Sequence, residues 1–436
     1  MMNQANASPS SVTRPEFCPR PWCIYHNREF ASTANWYTHK EAYMTKARGP
    51  IRRFKCKACG KTCSTQTFSI HYWTHQTTDM QAIDKHTYSC SGARQTCRAM
   101  GISIRVLQNR QARLARNYLN CFDAGLTGHA LVEDASFDGF ESFIGSQYRP
   151  VNYQVLVGSK SQFPYMMNLH IMNRKGRMTA DQKAVAQMIK EHFPIPPKAL
   201  RERCKELFSL IPPMLKHNSS EKPWNLYTDE HREYPAAMKE LDEFHKLLEC
   251  KTIIHTRVNS KEARTHQNKL FPSNYMDREI RKNLAGHVRE TVRFDREVNM
   301  AMTRMIIMLG HHGFLKPHRI GDKINQAKEP THGDMALIGR KKLVKIAKRR
   351  LYTHRHLWSH QRGKFQWMRQ VWHREYVNPP QVNLVKMLVL LVEKEAKNEA
   401  AIEKPKKAAK LNEDELKLCW GKKQPGNGYH AFHLAA

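Results

Sequence analysis

The stretch ALVEDASFDGFESF, residues 130–143, is strand-like, with Asp138 at its middle and Glu141 close behind. Working outward, VNYQVLVG (151–158) and FPYMMNLHIM (163–172) are two further apolar runs of strand length. A helical segment at about 196–215 follows, and then WNLYTD (224–229), a short apolar run that ends on Asp229. Helical pattern returns at 235–249. CKTIIHTRV (250–258) is another buried strand, and a long helical region runs from about 275 to 313.

Three strands, a helix, a strand, a helix, a strand and a helix is the element order of the RNase H-like fold. In that fold a carboxylate on the first strand and one ending the fourth come side by side, and a helix after the last strand brings a third acid. The set binds two divalent ions that activate water and stabilise the leaving oxygen of a phosphodiester. Mg²⁺ or Mn²⁺ suits such a site, since Mg²⁺ takes a few carboxylates together with substrate phosphate. Asp138 and Asp229 fit the first two places. For the third, FPSNYMDREIRKNLAGHVRETVRF (271–294) offers Asp277, Glu279 and Glu290. Its apolar positions Met276, Ile280, Leu284 and Val288 recur every four residues, and at about 100° per residue Asp277 falls within that face. Glu279 and Glu290 point away from it. Each acid also has an ordinary explanation. Asp229 can start a turn, and Asn274 with Asp277 resembles a capping pair. Glu133, Asp134 and Glu141 read as solvated strand-edge charges, His231 as a helper or surface residue, and His311 with His312 as helix-end chemistry.

The 436 residues carry 72 Lys and Arg against 39 Asp and Glu, a formal charge of +33. Such an excess points to a polyanionic partner, nucleic acid above all. Eleven cysteines, without the pattern of a secreted scaffold, point to reduced thiols or zinc. Residues 1–15 read as a disordered leader without a signal-peptide core, an expectation of a chain that stays inside the cell. Between 16 and 66, Cys18 and Cys23 form a C-x4-C pair, and Cys56 and Cys59 form a C-x2-C pair within RRFKCKACGK. Two such knuckles present four thiolates to one tetrahedral Zn²⁺, with Gly60 easing the turn and His26 and Cys63 as spare ligands. Arg52 and Arg53, with Arg48, Lys55, Lys57 and Lys61, make this zinc ribbon a phosphate-contacting module.

Residues 78–120 contain a helix-turn-helix pattern, SGARQTCRAMGISIRVLQNRQARLAR (91–116), with Gly101 at the turn and Ser103 as N-cap of the second helix. Ile104, Leu107 and Leu114 are expected to face inward there. Arg105, Gln108, Asn109 and Arg110 are expected to face outward, toward base edges in a major groove. The core is expected over 128–320, and a basic C-terminal extension over 321–436. From Met335 to Arg374 that extension has twelve Lys or Arg and no acid, interleaved with Tyr352, Trp358, Phe365, Trp367 and Trp372. Those aromatics suit either base stacking or a small core of their own. The longest apolar run, Met387 to Val392, is far too short to cross a bilayer, so no membrane role is expected.

A four-cysteine ribbon, a helix-turn-helix with GIS, and the segments FDGFESF, YTDEHREYP and NYMDREIRKNLAGHVRETVRF together resemble bacterial insertion-sequence transposases of the DDE class, over roughly residues 16–320. The resemblance implies an α/β multidomain enzyme: zinc ribbon, helix-turn-helix, RNase H-like mixed-sheet core and basic extension. It implies metal binding by Asp138, Asp229 and Asp277, and cleavage and strand transfer at element ends whose inverted repeats the N-terminal modules bind. A cytoplasmic, nucleoid-associated location and a homo-oligomer at synapsis come with it. Two positions depart from the family. Its last acid is commonly Glu where Asp277 stands, and Cys63 replaces the aromatic usual after the second knuckle. The alternative from another class is a transposase-like DNA-binding regulator without catalysis.

Overall fold

A computed structural model describes residues 15, 17–20, 22–26, 28–46, 49–72, 74–126, 128–289, 291–319, 329–338 and 376–378. The leader, Glu290 and most of the basic extension, with its five aromatics, lie outside the described residues.

The chain begins with helix α1 (Arg28–Thr33) and strands β1 (Tyr37–Thr45), β2 (Gly49–Cys56) and β3 (Thr62–Ser64). These form a three-stranded antiparallel sheet in the order β1-β2-β3. Phe17, Trp36 and Phe54, all fully buried, make a small core with the cysteines. Helices α2 (Met80–Tyr88), α3 (Ala93–Met100) and α4 (Ile104–Leu126) follow. Asp79 caps α2 through the amides of Gln81 and Ala82, and Gly101 ends α3 at φ 62°, the left-handed geometry in which glycine carries no side-chain penalty.

Next come β4 (Ala135–Ile144), β5 (Ser146–Gly158), β6 (Pro164–Ile171), α5 (Ala180–His192), α6 (Ala199–Phe208), β7 (Trp224–Thr228), α7 (Glu233–Lys239), α8 (Asp242–Glu249) and β8 (Ile253–Arg257). The last described helices are α9 (Phe271–Asn283), α10 (Val298–Phe314) and α11 (His332–Met335). The second sheet is mixed, in the order β6-β5-β4-β7-β8. β4, β5 and β6 are antiparallel neighbours, while β7 and β8 join parallel to β4. One core runs from the sheet into α2, α4, α6, α9 and α10, so the helices over 80–126 share the sheet's core instead of enclosing their own.

Three expectations change here. Helix α5 was missed, although Thr179 and Gln182 form a capping box at its start. The helical region 275–313 is two helices, broken after Asn283. Gly286 packs against Asp295 in that break, where a Cβ would lie 2.8 Å from the Asp295 carboxylate. Helix α9 also starts earlier than expected, with Pro272 in its first turn. Asn274 is therefore inside the helix, and the capping pair with Asp277 does not form.

Candidate active site and metal centre

Register places the acids. In the parallel pair β4–β7, Phe137 lies opposite Thr228 where the pairing ends. Asp138 and Asp229 are each the next residue, so they sit side by side on adjacent strands. Helix α9 is tied to β4 by a buried hydroxyl pair, Ser136 Oγ to Ser273 Oγ at 2.8 Å. Asp138 is two residues beyond Ser136, and Asp277 is one helical turn beyond Ser273. Both steps cover about 6 Å.

The acids feel one another. Burial is the largest cause that pushes the Asp138 carboxyl up to about 7, and the Asp229 charge adds to it, against the Gly139 amide and the Arg264 charge. Burial and then Asp138 push Asp277 up to about 7, with Arg281 and Arg264 opposing. The Gly139 N–H donates to Asp138 Oδ1 at 2.6 Å. An Asp229 oxygen accepts from the His231 N–H at 3.0 Å, which starts the turn into α7. The turn-forming explanation of Asp229 is thus true as well, and it aims the residue. Tyr234, buried beneath, lies within the field of Asp138 and Asp229.

Glu279 belongs elsewhere. It is buried, with Lys316 Nζ at 2.6 Å and Asn283 Nδ2 at 3.0 Å, facing the end of α10 instead of solvent. Glu133 is also buried, not solvated: it accepts from the Lys160 and Ser161 amides, the Ser161 hydroxyl and Tyr165 Oη. Asp134 holds the Asn225 amide at the start of β7, while Glu141 is exposed as expected. His311 pairs with buried Asp84 at 2.6 Å, and His312 stacks on His332. Both histidines tie helices together and are more than helix-end chemistry. The signal for Glu133 was absent from its local sequence, because its partners lie 27 to 32 residues away.

The four cysteines meet at the end of the first sheet. Cys18 Sγ lies 3.6 Å from Cys59 Sγ, and Cys23 Sγ lies 3.6 Å from Cys56 Sγ. A tetrahedral ion with bonds of about 2.3 Å to sulfur would set its ligands about 3.8 Å apart, so this thiol set fits a structural zinc. Burial pushes Cys23 up to about 11, whereas at Cys59 burial is outweighed by the Lys61 amide and the neighbouring thiols, and the net shift is downward. Gly60 turns the second knuckle at φ 68°. The spare ligands drop out: His26 Nδ1 is bonded to the Cys18 carbonyl at 2.9 Å, and Cys63, pushed up to about 12 by burial, stands outside the group. Among the described residues, these four cysteines are the set whose ligand atoms all lie within 4.8 Å of one another. The carboxylates do not converge that closely.

On α4, Leu107 and Leu114 are buried as expected, but Ile104 is 44% exposed. Arg105 is exposed and Gln108 half-buried. Arg110 is buried, not outward. It donates to Thr78 Oγ1 and the Gln76 carbonyl, and with Arg113 it occupies Asn109 Oδ1. The segment 76–78 lies over this part of α4 and claims a side chain that periodicity alone assigns to solvent. Arg52 is exposed and Arg53 half-buried on β2. Among the described residues, no helix is long and apolar enough to cross a membrane. No known family model and no curated protein matches this chain.

Proposed function

We propose that this chain is a DNA transposase, which binds the ends of a DNA element, cleaves a phosphodiester with divalent-metal help and joins the freed end to a target. One observation carries the reading: β4 and β7 stop pairing at Phe137 and Thr228, which sets Asp138 beside Asp229, with Asp277 close to Asp138 from α9. The mixed sheet supports an RNase H-like core, because three antiparallel strands come first and two parallel strands are added beside the first of them. The donor chemistry fits hard divalent cations. Two half-buried acids, each pushed up to about 7 by desolvation and by a neighbouring carboxylate, form a site short of positive charge.

Mg²⁺ or Mn²⁺, when bound, supplies an activated water and a stabilised leaving oxygen. The chain's own part is positional. Asp138 and Asp229 are fixed by strand register, and Asp277 by the Ser136–Ser273 contact. Arg264 and Arg281 bring positive charge toward the acids, where a phosphate would lie. The cysteine module, as a zinc ribbon, and the α3–Gly101–α4 unit, as a helix-turn-helix with Arg105 and Gln108 toward bases, would hold the element ends. Synapsis of two ends makes the working form a dimer or larger.

The test incubates the protein with Mg²⁺ or Mn²⁺ and a labelled duplex carrying the sequences that flank its own gene. Nicked and joined products from wild type, absent from Asp229→Asn, are expected. Tight binding by both proteins without cleavage by either would replace the enzyme with a DNA-binding regulator.

A further inference from the structure

Asp229 stands where β7 leaves the sheet, and its main chain is held there by side chains. β7 pairs with β4 as far as Thr228, and on the other side the Val258 N–H reaches the Thr228 carbonyl at 2.8 Å. The next carbonyl, that of Asp229, accepts from the Thr228 hydroxyl at 2.8 Å. Thr228 is fully buried, and its β-branched side chain is stiff. A hydroxyl has one hydrogen to give. With that hydrogen donated to Asp229, Thr228 Oγ1 accepts from His255 Nε2, also at 2.8 Å. His255 therefore carries its hydrogen on Nε2.

The relay starts on the outermost strand. β8 is the last in the sheet, and His255 sits half-buried at its middle. β8 does not need this bond to stay in place, because Trp224 to Thr228 of β7 already pair with Ile253 to Arg257. What the bond adds is a grip on the Asp229 peptide. The carboxylate is held separately, through Oδ1, by the His231 N–H at 3.0 Å. Main chain and one oxygen are thus fixed, and among the described residues no hydrogen bond reaches Oδ2 of this half-buried acid.

We propose that His255 is a positioning residue: through the Thr228 hydroxyl it fixes the Asp229 peptide, and with it the direction in which Asp229 Oδ2 meets a divalent cation. Partners that orient a metal-binding side chain are commonly worth about tenfold or more in affinity, without touching the metal themselves. The proposal rests on the metal reading of Asp229 above and adds to it the side chains that aim the acid.

The experiment titrates the full chain with Mn²⁺ and follows the electron paramagnetic resonance signal of the free ion, so that no cleavage enters the measurement. Binding that is lost in Asp229→Asn defines the site. Thr228→Val keeps the branched shape without the hydroxyl, and His255→Leu removes the donor. Each is expected to weaken Mn²⁺ at that site about tenfold. His255→Gln restores an N–H donor and should return to within about threefold of wild type. Melting midpoints without added Mn²⁺ show which variants are folded at the assay temperature. If Thr228→Val is not, the two His255 variants, on an outer strand, carry the test. Wild-type affinity in His255→Leu, or a Gln variant no better than the Leu one, overturns the relay while the metal site stands. If Asp229→Asn binds Mn²⁺ as wild type does, the metal reading falls and takes the relay with it.

Discussion

Asp138 shows how one side chain can burden a fold and serve it. Its folded pKa, raised to about 7, lies far above the ordinary carboxylate value, so its stabilising contribution is complete below about pH 4 and is lost as pH rises through 7. Three buried histidines behave in the opposite sense. Burial first of all lowers His332 to about 4 and His287 to about 3, and drives His312 well down. Their contribution is complete above about pH 6.5 and fades as pH falls. The two groups therefore oppose each other between pH 4 and 6.5. Asp138→Asn is expected to raise the melting temperature at pH 8 by roughly 2–4 °C, equivalent to about 1–2 kcal/mol. That gain should vanish near pH 4, which leaves the variant steeper on the acid side. Thermal scans without divalent ions at pH 4, 6 and 8 check this, and a gain of equal size at all three would show that the carboxylate's charge is not the cause. The acid itself was legible in sequence because it interrupts a strand pattern. Glu279 was not, since its partner Lys316 lies 37 residues away.

Helix α10 shows what a sequence hides at the level of elements. Gly310 lies against the Tyr118 ring of α4, where an added Cβ would collide with the ring atoms. Tyr118 is itself pinned by its hydroxyl to Asp84 at 2.7 Å, so it cannot turn aside. Gly310→Ala should destabilise the chain by about 1–3 kcal/mol through overpacking. A lower urea midpoint measures that, and an unchanged midpoint would mean that the α4–α10 contact has room to give. The strands were legible because apolar runs bounded by turn residues leave little choice. Helix α5 was overlooked because its mostly polar face has only Val185 and Ile189 fully buried. The α9–α10 break is hidden because Leu284 and Val288 continue the period of four across it, although Leu284 is extended, and Gly286 beyond it packs on the Asp295 side chain, which no periodicity reveals.

Across the whole molecule, charge was the most legible property and carries the broadest expectation. A formal charge of +33 against a phosphate backbone predicts affinity that falls steeply with salt. If about six or more phosphates are contacted, raising salt from about 50 to 200 mM should cost about a thousandfold in affinity. Anisotropy titrations across that range test it, and a nearly flat response would remove phosphate contact as the source of binding. Sequence did not show that the helices over 80–126 join the same core as the sheet. The pairings that unite them, His311 with Asp84 and Tyr88 with Glu279, span 227 and 191 residues. That distance has a consequence during synthesis. Helix α4 ends at Leu126 and its cover α10 ends at Phe314, so its apolar face waits for nearly 190 further residues. At about 5–20 residues per second the wait is about 10–40 s. The cysteine module can close in that time, while α4 has only α2 and α3 packed against it.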